Sequence, residues 1–246
     1  MNLIEQIEAW MPGVMDADLE RFLRQLAITI PSPTDARDYP HDKQDPPADS
    51  VKYMSCVGRI EDQKNEPICV AQSNEVIARV HTNQKRGVTH EQGIKMADFD
   101  AMSFYTNILK KNDGMPLIAG TTPRNGMKCL KKYGIVEIQL NQGDVFTLDT
   151  YWRIRDAQEA RNALLTTGPV SACFQCYRSL FGCTGLIERP HAIDATMGYH
   201  QMTLAGVDDT GFLVVNSWGF NWGNGGTAFL PHEYYDDWIM EAWCGK

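Results

Sequence analysis

A histidine and an asparagine lie on two apolar runs that are joined by a strong turn signal. His200 belongs to the run YHQMTLAGV, Asn216 follows the run GFLVV, and the residues DDT stand between the two runs. A tight hairpin there brings Asn216 to within a residue or two of His200 across the strands. The amide oxygen of Asn216 can then accept a ring N–H of His200 and leave the other ring nitrogen free to work on a proton. The pattern therefore predicts a general base with its orienting group.

The nucleophile for this base is predicted far upstream, at Cys69. The run ICVAQSNEVIARV over residues 68–80 is typical of a helix, and Cys69 is its second residue. A thiol at the beginning of a helix faces the positive end of the helix dipole and unpaired backbone N–H groups, which both favour the thiolate. The sequence therefore predicts a thiolate–imidazolium pair, with Cys69 and His200 meeting in one solvent-reachable groove. By itself a lone cysteine on a helix is more often part of the core, and His191 is the rival base.

Two motifs resemble those of the papain-like cysteine peptidases. Gln63 followed six residues later by Cys69 resembles the family's active-site stretch, and the run NSWG that begins at Asn216 resembles its Asn-Ser-Trp-Gly signature. In that family the histidine and asparagine follow the cysteine by about 130–150 residues, and both offsets here, 200 − 69 and 216 − 69, fall in that range. The likeness extends in order over residues 35–226, weakly in the middle and strongly at the end.

The resemblance implies a role for each position. Gln63 and the backbone N–H of Cys69 are expected to stabilise the oxyanion of a tetrahedral intermediate. His200 is expected to take the thiol proton, and Asn216 to orient the imidazole. The implied reaction is the hydrolysis of a peptide or isopeptide bond through an acyl-enzyme thioester. Four further residues are expected to border the substrate or to cover the catalytic hydrogen bond: Trp218, Trp222, Tyr199 and Val170.

The chain departs from the family pattern around the nucleophile. The residues Glu-Pro-Ile at 66–68 stand where the family has Cys-Gly-Ser, and Val70 replaces the usual tryptophan. The family's cysteine at the first of these positions forms a disulfide, so that cross-link is not expected here. Tyr199 stands where many members have aspartate or another small residue. These changes alter the expected substrate preference more than the expected chemistry.

The elements that position these residues are predicted in two groups. Four short β runs follow residue 169, and they come after most of the helices, which indicates an α+β fold. An extended, proline-rich segment is expected over residues 31–50. Helices are expected over 68–80, 98–111, 124–133 and 157–165, with one or two more within 3–30.

The resemblance also implies a domain organisation. It predicts a papain-like two-lobed fold, with a helical left lobe, an antiparallel β-barrel-like right lobe and the active site in the cleft between them. The left lobe is expected over roughly 51–140 and the right lobe over roughly 141–246, so that residues 35–246 make the catalytic domain. Residues 1–34 are expected to be an N-terminal helical extension packed on a lobe; the alternative is an inhibitory propeptide, for which the segment carries no convincing motif.

Composition restricts the partners. The chain of 246 residues has 31 acidic and 23 basic residues, and the basic ones form no stripe of the kind that binds nucleic acid. No stretch approaches the roughly 18 apolar residues of a membrane span, and the first residues lack the pattern of a secretion signal. We therefore expect a protein or peptide substrate, no nucleic-acid or membrane partner, and a cytoplasmic or particle-associated location.

The cysteines do not indicate a metal or a cofactor. There are seven of them, without the spacing of a disulfide framework. Cys173 and Cys176 form a C-x-x-C pair in a predicted strand, but a second ligand pair is absent from the sequence nearby. We therefore expect no bound metal and no cofactor.

Two other functions are compatible with the same motifs. In the first, the chain is a catalytically silent papain-fold scaffold that serves in a larger assembly, and the changes around Cys69 record relaxed constraint. In the second, the same triad transfers the acyl group to another acceptor, which makes the protein an amidase or an acyltransferase. The reactivity of the Cys69 thiol distinguishes the first alternative from a peptidase, and product analysis distinguishes the second.

Overall fold

The structure is a computed structural model of the chain, and it describes residues 29–35, 38, 41, 48–88, 95–115, 120–139 and 143–246. The helices predicted within residues 3–30, and with them nearly all of the predicted N-terminal extension, lie outside these ranges. The predicted extended segment over 31–50 is described only in part, and its described residues form neither helix nor strand.

The predicted helices beyond residue 50 are confirmed, with shifts at their ends. The helix that begins with Cys69 continues to Arg86, six residues beyond the predicted end, and stops where Gly87 adopts a left-handed conformation with φ 65°. Another begins at Pro123, where the Thr122 side chain caps the backbone N–H of Asn125. The helices are α1 Met54–Val57, α2 Cys69–Arg86, α3 Ala101–Ser103, a π-helical turn Phe104–Leu109, α4 Lys110–Asp113, α5 Pro123–Lys132, α6 Ala157–Thr166 and α7 Tyr235–Trp238.

The second half of the chain forms an antiparallel sheet. The strands are β1 Val51–Lys52, β2 Ile135–Val136, β3 Val145–Phe146, β4 Tyr151–Ile154, β5 Val170–Tyr177, β6 Thr196–Val207, β7 Gly211–Val215, β8 Thr227–Pro231 and β9 Ile239–Gly245. The four predicted β runs correspond to β5 to β8, whereas β9 was not predicted and lies inside the sheet, between the edge strand β4 and β5.

The sheet is open rather than closed. Its order is β4-β9-β5-β6-β7-β8, with β1 added beside β6, and among the described residues β4 and β8 do not pair. The α+β, two-lobed prediction is therefore confirmed, but the β-barrel-like description of the right lobe is corrected to an open antiparallel sheet. The reason is that each terminal strand hydrogen-bonds to a single neighbour, which leaves the edges apart.

Two buried apolar clusters correspond to the two lobes. The right-lobe cluster lies between the sheet and α6 and includes Phe174 and Phe212, whereas the left-lobe cluster includes Phe104 and Leu130. Helix α2 lies between them, since its apolar residues contribute to both clusters. Burial of apolar side chains on both sides holds this helix against the sheet. The beginning of α2 is therefore fixed beside strand β6.

Candidate active site

The hairpin of β6 and β7 places an imidazole beside a carboxamide. Thr203 on β6 pairs with Val215, the last residue of β7. Asn216 follows Val215 and is therefore displaced by two residues along the strands from the position opposite His200. The Nε2 atom of His200 lies 2.7 Å from Oδ1 of Asn216. The same amide oxygen accepts the backbone N–H of Ser217 at 2.7 Å, which fixes the orientation of the amide. Because Oδ1 can only accept, Nε2 carries the proton and Nδ1 is the free ring nitrogen.

Aromatic rings enclose the imidazole. Trp218 stacks on His200 at 4.5 Å between ring centroids, and Phe181 stacks on Trp218 at 4.8 Å. His200 is 0% exposed, and burial lowers the pKa of its imidazole from the usual 6.5 to about 4. Within the described part of the chain its Nδ1 has no hydrogen-bond partner. The ring is therefore neutral at pH 7, and among the described residues no group, the Cys69 thiol included, forms a hydrogen bond with its Nδ1.

Cys69 is the first residue of α2. Burial raises the pKa of the Cys69 thiol above its usual value. The Thr29 hydroxyl and the nearby backbone N–H groups of Gln201, Val70 and Cys69 itself lower the pKa, but by less. Because Gln201 directly follows His200, the sulfur lies against the strand that carries the base. In this state burial favours the neutral form of both groups, so the thiolate–imidazolium pair stays a prediction for a state in which they are less buried.

An N-terminal segment covers the sulfur. The hydroxyl of Thr29 lies 2.8 Å from Sγ of Cys69, and the backbone of Thr29 forms an isolated parallel β-bridge with Thr121. Three residues later, the backbone N–H of Ser32 donates to Oε2 of Glu241 at 2.5 Å. Cys69 is consequently 0% exposed, so the prediction of a solvent-reachable groove is corrected for this state. We call this segment, residues 29–35 with Asp38, the strap.

An ion pair also holds the strap. Asp38 accepts two hydrogen bonds from the guanidinium of Arg124, at 2.9 and 2.5 Å, and Arg153 approaches the same carboxylate at 3.1 Å. The three side chains are partly exposed, between 10% and 27%. A bidentate pair of this kind fixes geometry as well as charge. The strap is thus attached both at the sulfur and at the beginning of α5.

Gln63 lies on the loop that precedes α2. Its backbone N–H donates to the Ser217 carbonyl at 2.8 Å, and its Oε1 accepts the Ser217 hydroxyl at 2.6 Å. Its Nε2 donates one hydrogen to the Glu66 carbonyl at 3.1 Å, and an amide nitrogen has a second hydrogen to donate. The NSWG run therefore fixes both the base and this predicted oxyanion donor. Sequence reasoning missed Ser217 as a supporting residue, although it belongs to the recognised run.

The predicted substrate-contacting residues differ in their surroundings. Trp222 is nearly buried, donates its indole N–H to the Leu180 carbonyl at 2.8 Å and contacts Trp218 edge-on. Tyr199 is partly exposed on β6. Val170 is 0% exposed and belongs to the right-lobe apolar cluster, where it offers no surface to a ligand. Packing in this cluster accounts for Val170.

Three carboxylates lie close enough together for a metal ion, but a cation from the chain contacts them already. They belong to Glu61, Glu75 and Asp98, and the buried guanidinium of Arg79 pairs with all three. Burial also raises the pKa of Glu75 well above its usual value. The cluster is therefore an ion-pair network between α2 and the loop that carries Gln63.

All seven cysteines are free thiols, and no described helix is long and apolar enough to cross a membrane.

Comparisons with known proteins agree with this architecture. The sequence profile described as papain family cysteine protease matches residues 107–234, just over half of the chain. An uncharacterized peptidase C1-like protein of Acanthamoeba polyphaga mimivirus is 31% identical over 98 residues, which are 37% of this chain and 31% of that protein. The match thus spans less than a third of the viral relative. His200 and Asn216 lie inside the matched profile, whereas Gln63 and Cys69 precede it.

Solved structures show the same fold. Xylellain, a cysteine protease from Xylella fastidiosa, has a TM-score of 0.73 at 20% identity, over 90% of this chain and 96% of that one. A procathepsin B from Trypanosoma congolense has a TM-score of 0.71 at 14% identity, over 99% of this chain and 95% of that one. The two-lobed, papain-like prediction is confirmed by these structures, which at such identities establish the fold alone.

Proposed function

The chain belongs to the papain family of cysteine proteases, and on that premise we propose that it hydrolyses peptide or isopeptide bonds with Cys69 as nucleophile and His200 as base. The observation that carries the proposal is the 2.7 Å hydrogen bond between His200 Nε2 and Asn216 Oδ1. It directs the other ring nitrogen, which has no partner among the described residues, away from the orienting amide. The sulfur lies against the next residue of the same strand.

The proposed reaction begins when the Cys69 proton passes to Nδ1 of His200. The thiolate attacks the substrate carbonyl, and the backbone N–H of Cys69 and the second Nε2 hydrogen of Gln63 stabilise the oxyanion. The imidazolium then protonates the leaving amine, which departs and leaves a thioester on Cys69. His200 next takes a proton from water, whose oxygen attacks the thioester and releases the carboxylic acid and the Cys69 thiolate; the imidazolium then returns its proton to the sulfur.

The covered sulfur implies that the strap leaves the site before a substrate binds. The Thr29 hydroxyl lies 2.8 Å from Sγ, the atom that a substrate carbonyl has to approach. Once the strap moves, water or substrate reaches both catalytic groups, and the burial that keeps them neutral is relieved. We therefore propose that the described structure is a latent state of the enzyme.

A fluorogenic peptide library tests the proposal. Wild type is compared with Cys69→Ala and with Cys183→Ala, because Cys183 is a free, partly exposed thiol that the proposed site does not use. We expect turnover by wild type and Cys183→Ala, through the fraction of molecules in which the strap is open, and none by Cys69→Ala, with circular dichroism showing that all three are folded. Turnover that survives in Cys69→Ala contradicts the proposal.

One observation favours the silent scaffold as a second candidate. Cys69 has no exposed surface, and burial raises the pKa of its thiol, as expected for a core cysteine. A scaffold predicts that the thiol stays inert in the full chain at every pH at which the protein is folded. A peptidase predicts a thiol that becomes reactive whenever the strap opens.

Association with a larger assembly, transfer of the acyl group to acceptors other than water, and a cytoplasmic or particle-associated location remain predictions.

A further inference from the structure

Four buried polar side chains meet between α2 and the sheet, behind the catalytic groups. The hydroxyl of Ser73 lies 2.8 Å from the hydroxyl of Ser171 and 2.8 Å from that of Thr203. The side-chain amide of Gln201 donates to the Ser171 hydroxyl at 2.7 Å. All four residues are between 1% and 4% exposed. We call this cluster, Ser73, Ser171, Gln201 and Thr203, the hydroxyl junction.

The hydroxyl junction joins the helix of the nucleophile to the strand of the base. Ser73 is one turn after Cys69 on α2, and Thr203 is three residues after His200 on β6. Ser73 Oγ also approaches the Met202 carbonyl at 3.3 Å, and Thr203 Oγ1 approaches the Ser73 carbonyl at 3.4 Å. Both elements are regular and hydrogen-bonded, so a shift at the junction moves the sulfur relative to the imidazole by a similar distance.

The chemistry of the junction differs from the packing around it. Apolar side chains elsewhere on α2 contribute to the two apolar clusters, and such contacts tolerate small sliding movements because they are not directional. Hydrogen bonds between hydroxyls require particular distances and angles. A buried polar group also costs free energy when it loses its partner, so displaced arrangements of α2 on β6 are disfavoured.

From this geometry we infer that Ser73, Ser171 and Thr203 are positioning residues, which set the separation between the Cys69 sulfur and the His200 ring. The inference rests on the proposed function, because it concerns the rate of that reaction. None of the three touches the substrate in this scheme. Their removal therefore lowers kcat and leaves KM nearly unchanged, since binding depends on surfaces that the junction does not form.

Thr203 offers a matched pair of variants. Thr203→Val removes the hydroxyl and keeps the shape, whereas Thr203→Ser keeps the hydroxyl and removes a methyl group. With the full chain and a fluorogenic peptide, we expect Thr203→Val to lower kcat about tenfold with KM within about twofold, and Thr203→Ser to retain most of the wild-type kcat. Ser73→Ala provides a second variant with the same expected loss, and it is decisive if Thr203→Val does not fold.

Tyr53→Phe is the control for a purely structural effect. It removes another buried hydroxyl, which donates to the Leu164 carbonyl at 2.5 Å and belongs to the right-lobe cluster. The second readout is the pH profile of Cys69 alkylation by iodoacetamide, followed by peptide mass spectrometry. Thr203→Val is expected to shift the acidic limb of that profile to higher pH, because a displaced imidazolium stabilises the thiolate less, while Tyr53→Phe leaves it in place.

The outcomes separate the inference from the proposed function. An active wild type with unchanged kcat and an unchanged profile in Thr203→Val or Ser73→Ala overturns the inference alone. So does an equal loss of kcat in Tyr53→Phe, which shows a general effect of stability. A wild type that shows neither turnover nor a reactive Cys69, even below pH 6.5 where the strap is expected to open, overturns the proposed function and the inference with it.

Discussion

The base and the nucleophile of the candidate site are positioned by different kinds of structure. His200 and Asn216 are sixteen residues apart on one hairpin, and strand register brings them together. Cys69 comes from another lobe, and the packing of α2 and the bonds of the hydroxyl junction hold its helix against the strand that carries His200. The difference teaches that the orientation of the base is a local property, whereas its distance from the sulfur depends on contacts between distant parts of the chain.

The base side of this comparison is tested first by His200→Ala, which removes the proton acceptor. The exposed His191 provides the control, as the rival base in the sequence. Loss of a general base that also activates the nucleophile lowers kcat/KM by about a thousandfold or more. Steady-state kinetics are expected to show this loss in His200→Ala and a wild-type value in His191→Ala. A large loss of kcat/KM in His191→Ala instead would show that His200 is not the base.

Asn216→Ala tests whether the hairpin orients the ring. The change removes the acceptor of the 2.7 Å bond and leaves His200 in place. We expect kcat to fall about a hundredfold, less than for removal of the base, because the imidazole remains but samples other tautomers and orientations. Circular dichroism is expected to show an unchanged fold. An unaffected kcat would mean that the stacking of Trp218 on His200 alone fixes the ring.

The two regions differ in what the sequence could establish. The hairpin was predictable because the turn signal and the two apolar runs are adjacent, and the start of α2 because Pro67 precedes a helical pattern. β9 was missed since IMEAWCG has no turn signal before it and follows a short helix. The strap and the hydroxyl junction have no local pattern, because only the tertiary structure determines where extended chain lies or which hydroxyls meet.

The pH dependence tests whether the strap covers His200 as well as Cys69. Burial lowers the pKa of His200 from 6.5 to about 4, so its contribution to closure is complete above pH 6.5 and is lost as the pH falls towards 4. Burial raises the pKa of Cys69 above 9.0, so its contribution is complete below pH 9.0 and is lost as the pH rises further. Closure is therefore expected to be most stable between these two values.

Hydrogen exchange measures this closure directly. Below pH 6.5 we expect opening of the strap to increase by up to about tenfold per pH unit, after correction for the intrinsic pH dependence of exchange. The readout is the peptide that contains residues 29–35, and α6 serves as the internal control. Equal changes in α6 would indicate global unfolding. A pH-independent strap would show that the two catalytic groups are not protected by it.

The smallest expected effect belongs to the Asp38 ion pair. Asp38→Asn removes the charge that pairs with Arg124 and Arg153, and a partly exposed pair of this kind contributes about 1 kcal/mol. We expect Cys69 in the full chain to be alkylated about fivefold faster. Asp209→Asn is the matched control, because the Asp209 carboxylate is 85% exposed and forms only a long, 3.5 Å ion pair with Arg161. Equal rates in wild type and Asp38→Asn would show that this pair does not hold the strap.

Labelling with a peptidyl epoxide tests the central claim, that the Cys69 sulfur and the His200 ring form one reactive pair. The reagent is added to the full chain, and the modified peptide is identified by mass spectrometry. We predict that the label is found on Cys69 alone, that it disappears in Cys69→Ala and that it is strongly reduced in His200→Ala. Labelling that persists in Cys69→Ala, or that reaches Cys69 equally well without His200, contradicts the account.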